Sequence, residues 1–210
     1  MFSLDPHNKD FIGTLDFLLK LFGGLGGFYL FFIGFRRYKK DQTWKRNEFV
    51  AKEIKEFNSD KMVINAMFIL DWAERYIELF PDKSDYDERF IKVDRTILKK
   101  ALQFHGLRVK QDGYDRFTKT EVAIRDTFDQ FLLYLERFYQ FIEAGLITAD
   151  ELKPYLNYWI NGLSNEIEED VRNVIYHYID KYGFIGTQKL FMEFKKEIMP
   201  KTDISTTSGS

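Results

Sequence analysis

The chain has 210 residues, a nearly balanced charge and no cysteine. Its formal net charge of -2 gives no broad basic face, which argues against a large nucleic-acid-binding surface. The lack of cysteine excludes disulfides, thiolate catalysis and zinc sites of the cysteine type, and it suits a cytoplasmic domain.

Residues 1–10 are polar and contain Pro6, which predicts a loose tail on the outer side of a membrane. Residues 11–35 are mostly apolar, and at 1.5 Å per residue a helix of this length spans about 37 Å, more than the roughly 30 Å of bilayer hydrocarbon. Asp16 and Lys20 interrupt the run, but they lie four residues apart, the spacing of an acid–base pair on a helix. We therefore predict a transmembrane helix at 11–35 with Asp16 and Lys20 as an intramembrane charge pair.

The apolar run has two other possible interpretations, a secretory signal and a buried core helix. A secretory signal carries its basic residues before the apolar run and small residues at a cleavage site after it, and neither feature is present, so this interpretation is rejected. A buried core helix stays open, although helices of soluble domains rarely carry large apolar side chains on every side.

Four basic residues, Arg36, Arg37, Lys39 and Lys40, follow the predicted span at once. Cytoplasmic loops are enriched in Lys and Arg, so this cluster predicts an inner-membrane protein whose N-terminus faces outward and whose C-terminal part is cytoplasmic. The cluster could also contact anionic lipid headgroups, at about 1 kcal/mol per residue. The alternative is that it acts only as a stop-transfer signal.

Four glycines lie in the middle of the span, at Gly23, Gly24, Gly26 and Gly27. Small residues let membrane helices approach closely, and Gly23 with Gly27 forms a G-x-x-x-G pair. The pair predicts self-association through the membrane-spanning segment. The alternative is that glycine is simply common in membrane helices.

The rest of the chain is predicted to continue the helix of the span and then to form one compact domain. Residues 36–58 contain neither Gly nor Pro and are expected to continue the span as a basic juxtamembrane helix. Residues 59–200 are enough for one helical cytoplasmic domain, and the small polar residues of 201–210 predict a disordered tail. The predicted fold class is all-α, with one N-terminal transmembrane helix and a compact multi-helix cytoplasmic domain.

Caps and apolar residues at helical spacing predict the helices of this domain. Their expected bounds are 59–80 with Ser59 or Asp60 as the cap, 94–105 with Asp94 or Thr96 as the cap, 118–144, 148–161, 165–182 and 187–199. Gly145 is expected at the C′ position of the helix 118–144, and Thr148 with Glu151 predicts a capping box. Phe90 to Val93 alternates and predicts an extended segment, while 82–89 has the composition of a loop and 107–117 receives no assignment.

One short motif suggests chemistry. Arg172, Asn173 and His177 resemble the R-N-x-x-x-H form of the motif in HEPN-type ribonucleases, which are small helical domains that usually act as dimers. That resemblance implies a His that assists proton transfer at the ribose 2′-hydroxyl and an Arg that steadies phosphate charge. The alternative is an ordinary helix, because five residues of regular helix separate Arg172 and His177 by about 140°.

No metal, cofactor or small-molecule site is predicted. The acidic set Glu166, Glu168, Glu169 and Asp170 lies at the start of a predicted helix, where the helix dipole favours negative charge. The chain has none of the known nucleotide-binding glycine motifs. Its G-G-L-G-G run lies inside the predicted span and is therefore not interpreted as a phosphate-binding loop.

The whole layout, with an N-terminal span, a basic stretch and a helical domain containing FDQFLLYLERF and GLITADEL, looks like uncharacterised bacterial single-pass membrane proteins. The resemblance brings no known activity. We expect a non-enzymatic, membrane-anchored interaction module that positions a protein partner at the cytoplasmic face and self-associates. The alternatives are a membrane-tethered HEPN-like ribonuclease effector and a homo-oligomeric channel whose Asp16 and Lys20 face a polar interior.

Overall fold

A computed structural model describes residues 6–105 and 117–196, with the side chains at 6–19, 21–26 and 28 outside that description. The chain divides into two compact units, Met1–Glu48 and Phe49–Ser210. Both contain part of helix α1, which runs from Pro6 to Ser59. This helix begins inside the segment predicted to be a loose tail, and proline suits its first position because the missing N–H has no intrahelical partner there.

The described residues include no helix that is long and apolar enough to cross a membrane. Within the predicted span, the positions with described side chains or a described glycine are Lys20, Gly27 and residues 29–35.

The second unit is mostly helical, which confirms the all-α prediction at the level of fold class. After α1 its elements are α2 (Lys61–Asp71), β1 (Glu74–Glu78), α3 (Tyr86–Arg89), β2 (Phe90–Asp94), α4 (Arg95–Leu102), α5 (Lys119–Glu143), α6 (Ala149–Asn161), a π-helical turn (Gly162–Glu166), α7 (Glu169–Lys181) and α8 (Ile185–Glu193). The extended segment predicted at Phe90 is confirmed as β2. It pairs antiparallel with β1 in a two-stranded sheet.

Helix α5 lies at the centre of the second unit. The hydroxyl oxygen of Thr118 accepts a hydrogen bond from the backbone N–H of Glu121 at 3.2 Å, and the Glu121 carboxylate accepts one from the backbone N–H of Thr118 at 2.8 Å, so a capping box starts the helix. The predicted left-handed Gly145 is confirmed by its φ of 69°. Between these ends, α5 buries apolar side chains at helical spacing: Ile124, Phe128, Phe131, Leu132, Leu135 and Phe138.

The second unit begins earlier than the predicted boundary at residue 59, because the last turns of α1 belong to its core. Val50, Ile54 and Phe57 are buried there. The Phe57 ring lies 5.9 Å from that of Phe131 and 5.4 Å from that of Phe138, within the range of favourable aromatic pairs. The predicted juxtamembrane helix 36–58 is therefore divided between the two units.

The predicted helix 59–80 is wrong in its second half. Asp60 caps α2 as expected, and its carboxylate accepts from the backbone of Met62 at 2.9 Å, but the helix ends at Asp71 and residues 74–78 form β1. The apolar residues of this stretch fit helical spacing, yet pairing with β2 buries Ile77 opposite Ile91 and overrides the local pattern.

Three other predicted helices have corrected bounds. Helix α4, capped by Asp94 as predicted, ends at Leu102. Helix α7 starts at Glu169 because the π-helical turn takes up Gly162–Glu166. Helix α8 begins at Ile185 and ends at Glu193, where Lys195 adopts a φ of 59°. The predicted tail 201–210 lies outside the described residues.

A carboxylate from α5 caps the first turn of α8. The two oxygens of Glu136 accept from the backbone N–H groups of Gly186 at 2.7 Å and Thr187 at 2.8 Å. This position satisfies donors that have no intrahelical partner and places a negative charge at the positive end of the helix dipole. The carboxylate comes so close that a Cβ on Gly186 would lie 2.9 Å from Glu136 Cδ.

We therefore expect Gly186→Ala to destabilise the domain by about 1–3 kcal/mol, the usual cost of overpacking, as measured by denaturant unfolding. The control is Gly162→Ala, since Gly162 has helical dihedrals and no atom within 4 Å of an added Cβ. The control should be neutral or slightly stabilising. Equal stability of the two variants would contradict the assigned contact.

Candidate functional site

A run of large apolar side chains is exposed in the first unit. Tyr29, Leu30, Phe31, Phe32, Ile33 and Phe35 are between 44% and 69% exposed. Consecutive residues on a helix point about 100° apart, so these side chains surround α1 rather than forming one stripe. A helix that is hydrophobic on all sides needs an apolar environment on all sides. We call residues 29–35 the exposed apolar run.

Basic side chains lie over the end of this run. The guanidinium of Arg36 is 4.8 Å from the centre of the Phe32 ring, and the ammonium of Lys39 is 4.7 Å from that of Phe35. Both contacts join residues four apart, so the stems fold along the helix while the charged ends remain exposed. This arrangement is typical of side chains at the boundary between an apolar and an aqueous phase.

The other residues predicted to act in the span are only partly described. Lys20 is exposed, whereas the side chain of Asp16 lies outside the described residues, so their pairing remains a prediction. Gly27 and Gly34 each have no atom within 4 Å of an added Cβ. The contacts of Gly23, Gly24 and Gly26 lie outside the description.

A pocket of about 210 Å³ lies in the second unit beside the π-helical turn. π-helical turns often occur at functional sites. Its aromatic wall is Tyr158 and Trp159, and its polar groups are Asp71, Arg95, Glu166 and Glu168. With three carboxylates and one guanidinium, the pocket carries a net negative charge. We call it the π-turn pocket.

Hydrogen bonds hold the polar groups of the π-turn pocket in place. Arg95 donates to the carbonyl oxygens of Ile69 at 2.6 Å and Leu70 at 3.0 Å, which caps the C-terminal end of α2, and its Nε lies 3.1 Å from Glu168. The Tyr158 hydroxyl donates to Asp71, and this bond raises the pKa of Tyr158. Arg95 is therefore committed to α2 and Glu168, while the Glu166 carboxylate is exposed at the pocket.

The motif residues Arg172, Asn173 and His177 all lie on α7, but Arg172 and His177 contact different parts of the fold. Arg172 donates to the carbonyl oxygen of Ser164 in the π-helical turn at 3.2 Å. The His177 ring packs edge-on against Phe104, 6.3 Å between centres, and its buried Nε2 has no hydrogen-bond partner among the described residues. Within one chain, the described contacts do not bring Arg172 and His177 to one site.

Helices α5 and α7 share a buried polar cluster that the sequence did not predict. The Arg125 guanidinium lies 4.9 Å from the Tyr178 ring centre and 5.0 Å from the Tyr182 ring centre, and it donates to the carbonyl oxygen of Ala101 at 2.8 Å. The Tyr178 hydroxyl donates to Asp129 at 2.6 Å. These contacts cross-link α4, α5 and α7, so the cluster is structural. The tyrosines clustered on α7 could have indicated a buried polar contact from the sequence. Their partners on α5 could not be identified from the sequence, because they lie far away along the chain.

Burial and hydrogen bonding shift the ionisation of this cluster. Burial raises the pKa of the Asp129 carboxyl, while the Tyr178 hydrogen bond and the positive charge of Arg125 act in the opposite direction. Burial, followed by the hydrogen bond to Asp129, also raises the pKa of Tyr178. Tyr178 therefore remains a neutral hydrogen-bond donor at physiological pH.

Two members of the acidic set at the start of α7 form ion pairs. Asp170 lies 2.5 Å from the ammonium of Lys99, and Glu168 pairs with Arg95. His105 Nδ1 lies 2.9 Å from the Tyr182 hydroxyl. In the part of the chain that the structure describes, no three side chains of metal-ligand type come together.

Comparison with known proteins gives no matching family model, no matching curated protein and no matching solved structure. The resemblance in layout to bacterial single-pass membrane proteins therefore stays a prediction.

The raised pKa of Asp129 gives a pH-dependent prediction. A carboxyl whose pKa is higher in the folded than in the unfolded state binds its proton more tightly when folded, so it lowers stability as the pH rises through the window above its unfolded value near 4. Asp129→Asn removes this titration and keeps an oxygen that accepts from Tyr178. Its stability relative to the parent chain should thus be more favourable at pH 7 than at pH 4, as measured by urea unfolding.

The exposed Asp82→Asn is the control, and its stability relative to the parent should change less between the two pH values. A difference for Asp129→Asn that is flat with pH, or that has the opposite sign, would contradict the burial argument.

Proposed function

We propose that the chain is a membrane-anchored helical interaction module. Residues 11–35 anchor it in the bilayer, and the second unit positions a protein partner at the membrane surface. The observation that carries the proposal is the exposed apolar run, because large side chains on all sides of a helix are stable in lipid and costly in water. The composition of residues 11–28 extends the same apolar character toward the N-terminus.

The basic residues after the run give the anchor an orientation. Arg36 and Lys39 fold back over aromatic rings, and Arg37 and Lys40 are exposed beside them. The positive-inside rule then places the second unit in the cytoplasm and the N-terminus outside. Anionic headgroups would add favourable electrostatic contacts on that side.

The π-turn pocket is the proposed partner site. Its volume is below the roughly 300–1,000 Å³ typical of drug-sized ligands but accommodates one or two side chains. Aromatic walls with exposed carboxylates favour a basic side chain of the partner, through cation–π contact and ion pairing. We propose that a basic segment of a protein docks there.

Self-association through the span is the second element of the proposal. Gly27 leaves open space on the surface of α1, and a second helix could approach closely there. Neither alternative function, the HEPN-like ribonuclease or the channel, has an observation among the described residues in its favour.

Anchoring is tested by Leu25→Lys, which places a charge near the middle of the span at a cost of about 2.5–3.5 kcal/mol. The parent chain should remain with membranes through an alkaline carbonate wash, and Leu25→Lys should lose a large part of that resistance. The matched control is Leu133→Lys on the second unit, where Leu133 is 54% exposed and the charge enters water. A parent chain that is fully released by the wash would contradict the anchor.

Partner binding is tested by affinity capture from detergent-solubilised membranes, with Glu166→Lys as the variant. Reversing a charge at the π-turn pocket should remove a co-purifying protein that the parent chain retains in stoichiometric amount. Glu193→Lys is the control, because Glu193 is an exposed carboxylate beside a different pocket. A partner retained equally by both variants would contradict this site, and a parent chain that elutes alone would contradict the interaction module.

Self-association is tested in the same experiment with co-expressed copies of the chain that carry a second tag. The Gly27→Ile substitution should reduce the amount of the second copy that is captured.

A further inference from the structure

The aromatic wall of the π-turn pocket consists of two rings at nearly a right angle. The ring centres of Tyr158 and Trp159 lie 4.9 Å apart, and the ring planes make an angle of 88°. Tyr158 is 57% exposed, and Trp159 is half-buried. A planar guanidinium stacks on an exposed aromatic face, whereas an ammonium is a compact, strongly hydrated charge with no flat face. The two rings therefore fit a planar cation better than a point charge.

Two carboxylates from different elements lie beside the exposed ring. Asp71, the last residue of α2, accepts from the Tyr158 hydroxyl, and Glu166 is the last residue of the π-helical turn. The hydrogen bond to Asp71 raises the pKa of Tyr158, and the negative charge of Glu166 adds to this effect, so both carboxylates lie near the same hydroxyl. Glu166 forms no ion pair with a described residue. Since a carboxylate has about four acceptor positions, both groups can accept further hydrogen bonds.

The pocket already contains one guanidinium of the chain itself. Arg95 donates to the carbonyl oxygens of Ile69 at 2.6 Å and Leu70 at 3.0 Å, and its Nε lies 3.1 Å from Glu168. Its planar set of donors thus combines backbone carbonyls at the end of α2 with a carboxylate. Because Arg95 uses these acceptors, a guanidinium that enters from outside would bind the two carboxylates beside Tyr158.

The charge of the pocket and of its surroundings favours a cation. The lining residues have three carboxylates and one guanidinium, an excess of two negative charges. Behind the π-helical turn, Lys99 neutralises Asp170 at 2.5 Å, and Arg172 lies three residues after Glu169 on α7, so these four groups add no net charge. Arg75, four residues after the end of α2, offsets one of the two negative charges. The balance remains negative.

We propose that the π-turn pocket selects an arginine side chain of the protein partner over a lysine, with the guanidinium stacked on the Tyr158 ring and bonded to Asp71 and Glu166. This inference rests on the proposed function, in which a basic segment docks at this pocket, and it names the residue that the segment presents. A lysine would keep the charge attraction but would lose the stacking and the paired hydrogen bonds.

The test uses the full chain in micelles of a zwitterionic detergent, so that binding is measured independently of the membrane anchor. The chain has three tryptophans, Trp44, Trp72 and Trp159, and labelling with 5-fluorotryptophan gives one fluorine NMR signal for each. Each signal is assigned by changing that tryptophan to Phe. Trp159 reports on the pocket, and Trp44, exposed in the first unit, is the internal control.

The probes are three blocked tripeptides with glycine on either side of arginine, lysine or citrulline, which has nearly the shape of arginine without its charge. We expect the arginine peptide to shift the Trp159 signal saturably and to bind about three- to tenfold more tightly than the lysine peptide, because an additional hydrogen bond and stacking distinguish them. The citrulline peptide should cause little shift, and the Trp44 signal should not move.

The possible failures separate the inference from the proposed function. Equal or tighter binding of the lysine peptide would overturn the selectivity and leave the docking of a basic segment standing. A Trp159 signal that moves with neither cation would overturn the pocket as the site for a basic segment, and the inference with it. A citrulline peptide that binds as tightly as the arginine peptide would overturn the ion pairing, and equal shifts of Trp44 and Trp159 would show non-specific binding and overturn the site.

Two substitutions test the assigned contacts. Glu166→Gln should weaken binding of the arginine peptide about three- to tenfold, whereas Glu193→Gln, at a carboxylate beside a different pocket, should not. Tyr158→Leu removes the stacking face and should bring the affinities for the arginine and lysine peptides close together. Tyr155→Leu is the matched control, because Tyr155 is 47% exposed on the same helix and does not line the pocket. Equal effects within either pair would contradict the corresponding contact.

Discussion

The exposed apolar run constrains the whole account. The run has six large side chains that are about half exposed. Burying their remaining apolar surface would contribute a hydrophobic free energy on the order of 5–10 kcal/mol, which is comparable to the entire stability of a small domain. The same helix ends with Val50, Ile54 and Phe57 buried against other helices, so one continuous element satisfies two different solvation requirements. The second unit folds around α5 with its own core and needs no contribution from the run, which leaves the run for an outside environment.

Local signals predicted the parts of the fold that depend on neighbouring residues. Asp60 and Thr148 act as caps, and Gly145 is left-handed, because each of these roles is decided within one turn of helix. The sequence pattern does not predict β1, because Ile77 fits a helical stripe as well as a sheet. Only pairing with β2, where Ile91 lies fourteen residues further along the chain, decides between them. The π-helical turn at Gly162 has no sequence pattern of its own, and the sequence predicts only a gap between the helices 148–161 and 165–182 there.

Among the candidate sites, too, features that depend on local sequence could be predicted, and features that depend on contacts between distant segments could not. The run before Arg36 could be found from composition, because solvation of a long apolar segment does not depend on the fold. The R-N-x-x-x-H pattern, by contrast, suggested a site at Arg172 and His177 that the described contacts do not assemble, since their separation on a regular helix directs them apart. The placement of Arg75 between two rings, and of Arg125 between two tyrosines, depends on contacts between elements.

The proposed anchor depends most directly on the membrane topology of residues 11–35. The chain has no cysteine, so a single cysteine can be introduced without removing any native thiol. With cysteine at Ser3 or at the exposed Ser84, a membrane-impermeant maleimide can be applied to intact spheroplasts and to lysed cells. The account predicts labelling at position 3 in intact spheroplasts and at position 84 only after lysis. Equal labelling of both positions in intact spheroplasts, or of neither, would contradict a single span with its N-terminus outside.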